Sequence, residues 1–120
     1  MATTKKYLSV FVALILFTSA NVIASAKTPT IKEYLQDKES YDSYIYGLES
    51  GIEWAYEHTY SKHAIEIYCK PRDLVLSAKQ LRAMIDAEID ENISFYTKYS
   101  DAPLLGLALR NAYVSSFSCN

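Results

Sequence analysis

The stretch that decides the fold is residues 41–55, YDSYIYGLESGIEWA. Its apolar side chains recur at intervals of three and four, the spacing of one buried face of an α-helix. They are Tyr41, Tyr44, Ile45, Leu48, Ile52 and Ala55. Ser40, or Glu39 with Ser40, is placed to open the helix. We therefore predict a long amphipathic helix that packs against a hydrophobic core.

Two glycines, Gly47 and Gly51, lie four residues apart in this helix and share a face. Glycine costs about 1 kcal/mol relative to alanine inside a helix, so the pair predicts that another backbone approaches closely. The same spacing promotes dimers of membrane helices only within an apolar span, and the glutamates between and beyond the glycines exclude one. A homodimer that forms through this glycine face is a further hypothesis.

Three glutamates, Glu49, Glu53 and Glu57, recur every four residues along the same helix. Like charges at this spacing repel weakly, and we expect them to form an acidic ridge on the solvent side. The ridge has two interpretations. It is either an ordinary solvated face or a docking stripe for a cationic partner.

Tyrosine is abundant, with 11 residues in the chain and one tryptophan. Both side chains combine apolar area with a polar group, so they serve hydrophobic cores and protein interfaces alike. We expect Tyr41, Tyr44 and Trp54 to fill the core. The aromatic residues outside the main stripe are better interface candidates. They are Tyr46, Tyr56 and Tyr60.

Shorter helices are predicted on either side. One covers residues 31–37, with Thr28 or Thr30 as its N-cap. Another begins after Ser77, because Ser77 and Gln80 form a capping box. The predicted core stripes are Ile31, Tyr34 and Leu35 in the first helix and Ala78, Leu81, Ile85 and Ile89 in the second.

A last helix is predicted after Ser100 or Asp101, with Pro103 in its first turn and a nearly all-apolar run over residues 104–109. Between the central helices the pattern weakens, and residues 60–63 are expected to be a loop or a frayed helix end. No strand-like alternation or internal repeat stands out. The fold class that follows is all-α, a small compact bundle of about four to five helices.

The first 26 residues have the three zones of a signal peptide: Lys5 and Lys6, an apolar stretch over residues 8–17, and Ala24-Ser25-Ala26 before the cleavage site. A membrane anchor is the alternative, but spanning a bilayer takes about 20 apolar residues and this stretch is shorter. We expect cleavage after Ala26. The exported domain would comprise residues 27–120, with no membrane association after cleavage.

Only two cysteines are present, Cys69 and Cys119. Thiols of an exported chain meet oxidising conditions and pair, so we expect one disulfide that closes the bundle. A redox or nucleophilic cysteine is the alternative, but the chain has no C-x-x-C motif.

Composition and spacing also exclude several functions. Residues 27–120 carry 10 basic and 14 acidic residues, which does not suit a nucleic-acid binder. His58 and His63 lie about 140° apart around a helix, so they do not form a zinc pair. We find no catalytic set, metal site or cofactor motif and expect a protein that is not an enzyme.

The order of several motifs carries a resemblance. Residues 44–51 (YIYGLESG) are followed by Cys69-Lys70-Pro71, by residues 76–81 (LSAKQL), by residues 102–113 (APLLGLALRNAY) and by Cys119. This order resembles the Rap/Tai-type immunity proteins of bacterial type VI secretion systems. The chain departs from the family in a longer segment between Gly51 and Cys69, and in Ser118 where the family often has proline before the last cysteine.

The resemblance implies a periplasmic immunity protein that binds and occludes a peptidoglycan amidase effector. A loop that enters the effector cleft fits this mechanism, and residues 60–63 are our first choice, followed by residues 96–101. The expected partner-binding residues are Glu49, Glu53, Tyr56, Glu57, Tyr60, Lys62 and His63. The alternative function is an acid-activated periplasmic holdase chaperone. A small secreted enzyme is a third hypothesis.

Overall fold

The structure is a computed structural model that describes residues 27–120. Five α-helices follow one another: α1 (Ile31–Gln36), α2 (Asp42–His63), α3 (Ala78–Glu91), α4 (Ile93–Lys98) and α5 (Leu105–Ser116), with a 3₁₀ turn at Lys38–Tyr41 before α2. The described part of the chain contains no strand. The all-α prediction is therefore confirmed. The predicted signal peptide, residues 1–26, lies outside the described residues.

The starts of α1 and α3 follow from local sequence. The Ser77 hydroxyl accepts a hydrogen bond from the Gln80 amide at 3.2 Å, and the Gln80 side chain accepts one from the Ser77 amide at 2.8 Å. Thr30 and Glu33 form the same reciprocal pair at the start of α1. Each capping box satisfies backbone donors that the first helical turn leaves free. The predicted cap of α3 is confirmed, and Thr30 is the cap of α1.

The start of α5 differs from the prediction. The helix begins at Leu105, and neither Ser100 nor Asp101 caps it. The segment that contains them is instead hydrogen-bonded to the start of α1. The Ser100 carbonyl accepts a hydrogen bond from the Lys32 amide at 2.9 Å, and the Ala102 carbonyl accepts one from the Ile31 amide at 3.3 Å. A tertiary contact therefore occupies the segment that local sequence assigned to a cap.

The core lies between α3 and α5, covered by α1 and the first half of α2. Its buried apolar side chains are Ile31, Tyr34, Ile45, Tyr68, Leu76, Leu81, Ile85, Ile89, Tyr96, Leu105, Ala108, Leu109, Ala112 and Tyr113. Tyr41 packs against this core from the 3₁₀ turn, and Tyr44, Leu48 and Ile52 pack against it from α2, as the spacing predicts. Ala78 is only partly buried, and Leu35 is exposed, so α1 has a narrower buried face than predicted.

Two core assignments in the second half of α2 are wrong. Trp54 is 73% exposed and Ala55 is exposed, whereas Tyr56 packs on the core. A helix turns about 100° per residue, so Trp54 lies on nearly the opposite side from Ile52. The buried stripe continues through Tyr56 because that ring stacks on Tyr68, with centroids 4.6 Å apart.

The close packing predicted at Gly47 and Gly51 is also wrong. No atom of a neighbouring element lies within 4 Å of where a Cβ would stand at either glycine. Gly47 lies two residues from the buried Ile45 and therefore faces away from the core. At Gly106 of α5, a Cβ would stand in ordinary contact with the Leu48 side chain, 3.4 Å away.

The disulfide prediction is confirmed. Cys69 and Cys119 are bonded, with Cα atoms 5.0 Å apart. The Cys69 amide also donates to the Phe117 carbonyl at 2.6 Å. Together these bonds fix the irregular segment between α2 and α3 to the end of α5. None of the helices over residues 27–120 is long and apolar enough to cross a membrane.

Candidate partner-binding surface

The last turn of α2 carries three of the expected binding residues, Tyr60, Lys62 and His63. The helix runs without interruption to His63, so of the two predictions for residues 60–63, a loop or a frayed helix end, the loop is wrong and the segment is the last turn of α2. It ends at Ala64, which has a left-handed backbone (φ 53°) and whose amide donates to the Tyr60 carbonyl at 2.8 Å. No glycine or proline stops the helix earlier, and basic side chains in the last turn suit its negative end.

The acidic ridge is not a solvent-side feature. Glu49 accepts a 2.5 Å hydrogen bond from the Tyr113 hydroxyl of α5, and Glu53 forms an ion pair with the largely buried Lys70. Glu57 is exposed, and the Glu53 side chain is 41% exposed. The ridge prediction is therefore wrong for Glu49 and holds only in part for Glu53, and both residues tie α2 to the rest of the bundle. Their partners are distant in sequence, so local spacing gave no sign of them.

A surface cavity of about 180 Å³ lies between α2 and the Cys69 segment. It is lined by Glu53, Tyr56, Glu57, Tyr68, Lys70 and Arg72. Three expected binding residues therefore meet here. The lining has two carboxylates and two cations, so its formal charge balances, and the stacked rings of Tyr56 and Tyr68 form an apolar wall. We call this feature the α2 cavity.

Tyr68 is the unusual residue of the α2 cavity. Its side chain is buried, and its hydroxyl has no hydrogen-bond partner among the described residues. Burial, reinforced by the negative charge of Glu53, raises the pKa of Tyr68 to about 12. The hydroxyl therefore stays neutral at physiological pH.

Three other buried tyrosines each donate to a carboxylate. Tyr34 donates to Asp86 at 3.0 Å, Tyr96 to Glu88 at 3.0 Å, and Tyr113 to Glu49 at 2.5 Å. Burial is the main cause that raises the pKa of each phenol, and the carboxylate adds to it; for Tyr96 the pKa is about 12. Sequence reasoning missed these pairs. Abundant tyrosine together with acidic residues at helical spacing was the available signal, but it does not specify partners.

Charged residues also join the N-terminal elements to α3. The Arg82 guanidinium contacts Asp42 at 2.5 Å, and Lys38 contacts Asp86 at 2.8 Å. Asp86 thus receives both an ammonium and the Tyr34 hydroxyl. These contacts are structural, and they leave the second half of α2 as the more exposed part of that helix.

The exposed face of α2 combines a large aromatic side chain with small neighbours. Gly47, Gly51 and Trp54 are spaced by four and three residues and are all exposed. An exposed indole next to two glycines, which have no side chain to cover the backbone, is typical of a residue that fills a pocket on a partner protein. Sequence reasoning missed Trp54 as a surface residue because it assigned the ring to the core.

The described residues offer little for catalysis. His58 and His63 are both exposed on α2, and neither imidazole is hydrogen-bonded to a nucleophile; the Ser61 hydroxyl donates to the His58 backbone carbonyl at 3.1 Å. Glu66, Cys69 and Cys119 place potential metal-ligating atoms within 4.8 Å of one another, but both sulfurs are bonded in the disulfide. A bonded sulfur offers no thiolate to a metal ion.

Comparisons of the chain with models of known protein families, with curated proteins and with solved structures found no match.

Proposed function

We propose that this protein is a periplasmic immunity protein that binds a type VI secretion peptidoglycan amidase effector and occludes its active-site cleft. The observation that carries the proposal is the position of the family-like motifs in the bundle. Cys69 and Cys119 form the disulfide, Gly106 lies against Leu48, and the LSAKQL segment contains the capping box of α3. The motifs thus coincide with contacts that join the elements of the bundle or that begin a helix.

Occlusion requires a rigid surface rather than a chemical group. The second half of α2 suits this role, because Trp54, Glu57 and Tyr60 are exposed on a continuous 22-residue helix. A surface that is already ordered loses little conformational entropy when it binds. Since residues 60–63 are helical, the protein would present a helix end and the adjoining α2 cavity to the effector, not a flexible loop.

The direct test is binding to amidases encoded beside this protein, measured by calorimetry and by peptidoglycan hydrolysis. We expect a tight complex in which hydrolysis is inhibited. Absence of a complex, together with no protection of cells from lysis, would refute the proposal.

The contribution of α2 is tested with Trp54→Ala. Because the indole is mostly exposed, the variant should fold normally, and loss of an aromatic anchor should weaken effector binding by about 2 kcal/mol. Val75→Ala is the matched control, since Val75 is 87% exposed and lies outside α2. Tyr99→Ala probes the second-choice segment, residues 96–101. A loss with Tyr99→Ala alone would move the docking surface from α2 to that segment.

A holdase chaperone is the second candidate, and the carboxylates that join the helices favour it. Asp42, Glu49 and Asp86 each hold a partner from another element, and the pKa of Glu33, lowered to about 2, means that acid removes the stabilisation that Glu33 gives to the start of α1. An aggregation assay with a denatured client at about pH 3 separates the two functions. Client protection would support the chaperone, and its absence would favour the immunity protein.

The homodimer stays a prediction. Its test is the sedimentation of the purified protein, which measures the mass of the particle in solution.

A further inference from the structure

The carboxylate of Glu88 has an unusual environment. Glu88 is 8% exposed, and both hydrogen bonds that reach the carboxylate end on Oε1. The donors are the Tyr96 hydroxyl at 3.0 Å and the Asn111 amide group at 3.1 Å, and both are neutral. Within residues 27–120 no lysine, arginine or histidine forms an ion pair with Glu88. Among the described residues, the largely buried carboxylate of Glu88 therefore has only neutral hydrogen-bond donors.

This carboxylate lines two adjoining surface depressions, of about 510 Å³ and 280 Å³, which share Glu88, Asn92 and Asn111. We call the pair the Glu88 groove. Its floor is polar, whereas its rim includes three half-exposed apolar side chains beside Arg110. The apolar rim residues are Ile67, Phe95 and Val114. A polar centre inside an apolar rim is the usual composition of a pocket that takes one anchoring side chain of a partner.

The hydrogen-bond pattern fixes the chemistry of the floor. Asn92 uses its side-chain amide group to donate to the Glu88 backbone carbonyl at 3.2 Å, and Asn111 donates to the Glu88 carboxylate. Each bond uses one of the two hydrogens of the amide group, and Glu88 Oε2 and Asn92 Oδ1 are left as acceptors among the described residues. These acceptors are available to a ligand that supplies donors.

The charged side chains around the groove are Glu88 and Arg110, with Glu91 in a neighbouring depression. Arg110 stands at the edge of the larger depression, but its guanidinium donates to Asn111 Oδ1, at 3.1 Å and 2.6 Å, rather than to the carboxylate. Glu91 adds a second acidic group beside Glu88 in a neighbouring depression between α3 and α5. The carboxylate of Glu88 thus remains free to attract a cation from outside the chain.

We propose that the Glu88 groove binds an arginine side chain, flanked by apolar residues, of a protein partner. A guanidinium carries several donors in one plane and is weakly hydrated, so it can satisfy two acceptors while it enters a largely buried site. The bond to a desolvated carboxylate is charge-assisted, and the incoming cation compensates the buried charge. The neighbouring apolar side chains of the partner would cover Ile67, Phe95 and Val114. The proposal does not depend on the function proposed above, because it concerns different residues.

The test uses the purified protein and the tripeptide acetyl-Val-Arg-Val-amide, titrated in NMR experiments. The matched control peptide carries citrulline, which has the shape of arginine without its charge. We expect the arginine peptide to shift the amide signals of Glu88, Asn92 and Asn111 and to bind at least about five-fold more tightly than the citrulline peptide, with an affinity that falls as salt rises. Equal affinity of the two peptides, or shifts confined to other surfaces, would overturn the proposal.

Glu88→Gln adds an independent check. Glutamine keeps the volume and one acceptor for Tyr96 and Asn111, so the variant should fold and should lose the preference for arginine over citrulline. Asp90→Asn is the control, because Asp90 is exposed on α3 and does not line the groove. An unchanged preference in Glu88→Gln, or the same loss in Asp90→Asn, would contradict the proposal. If Glu88→Gln does not fold, the comparison of the two peptides on the unaltered protein still decides it.

Discussion

Buried tyrosine hydroxyls differ in whether they have a partner, and Tyr113 and Tyr68 represent the two cases. Tyr113 donates to Glu49, whereas the Tyr68 hydroxyl has no partner within residues 27–120. Tyr113→Phe should lower the free energy of unfolding by about 2 kcal/mol, because it removes a hydrogen bond to a charged group and leaves the carboxylate without its donor. Tyr68→Phe should leave stability unchanged or raise it by up to about 1 kcal/mol, since it removes an unsatisfied polar group.

Urea unfolding of both variants at constant m-value measures the difference. Each substitution removes one phenolic oxygen from a buried ring and changes nothing else, so each is a control for the other. A similar loss in both would mean that a hydrogen bond stabilises Tyr68 as well.

Ala64 is the only residue with a positive φ among those described, and it ends α2. A Cβ is unfavourable in the left-handed conformation, so Ala64→Gly should raise the free energy of unfolding by about 1 kcal/mol. Ala55→Gly is the opposite control, because Ala55 is an exposed position inside the same helix and should lose about 1 kcal/mol. Calorimetric melting temperatures of the two variants should move in opposite directions. A shift of the same sign would contradict the assigned cap.

At the scale of elements, the start of α1 predicts a specific sensitivity to acid. The hydrogen bond from the Lys27 ammonium is the main cause that lowers the pKa of Glu33 from its ordinary 4.5 to about 2, and the hydrogen bond from the Thr30 amide is the next largest cause. A carboxyl whose pKa is lower in the folded state stabilises the fold above the unfolded pKa. This stabilisation is lost as the pH falls from about 4.5 to about 2.

Glu33→Gln should therefore reduce the slope of unfolding free energy against pH over that interval. The capping box of α3 supplies the control, because its Gln80 is uncharged: Ser77→Ala should cost about 1 kcal/mol at every pH in the same range. Unfolding titrations at several pH values check both. An unaltered slope in Glu33→Gln would show that Glu33 is not held in its charged form.

How far the sequence predicts an element depends on where the partners of its residues lie. Ser77 and Gln80 are three residues apart, so the start of α3 could be predicted from local sequence. Glu49 and Tyr113 are 64 positions apart, so the local sequence could not predict that Glu49 of the acidic ridge is hydrogen-bonded to α5. Trp54 was misplaced for a different reason: it lies two residues from Ile52, so helical spacing alone puts it on nearly the opposite side of α2 from the buried stripe, and the core assignment neglected that spacing.

The same distinction applies to the binding surfaces. The sequence pointed to the second half of α2, and the structure brings Glu53, Tyr56 and Glu57 together at the α2 cavity. The Glu88 groove could not be predicted, because its floor combines residues of α3, α5 and the junction before α4. A lone glutamate on an amphipathic helix gives no sign that the packing of α5 will bury it.

At the scale of the whole molecule, the disulfide controls both candidate surfaces. The segment that Cys69 fixes supplies Tyr68, Lys70 and Arg72 to the α2 cavity and Ile67 to the Glu88 groove. This segment has no helix or strand of its own, and the disulfide joins it to the end of α5. Loosening the bond would therefore disorder both surfaces before it melts the packed helices.

The double substitution Cys69→Ser with Cys119→Ser tests this dependence. The bond closes a separation of 50 residues, and on the chain-entropy model its loss lowers the free energy of unfolding by about 4 kcal/mol. Below the melting temperature, hydrogen exchange should rise first in residues 64–77, because few backbone bonds hold this segment, while the amides of α3 stay protected. Binding of the arginine tripeptide should weaken in the same variant, since Ile67 would no longer be held at the rim of the groove. Uniform exchange across the bundle would show instead that the bond supports the core as a whole and not the surfaces selectively.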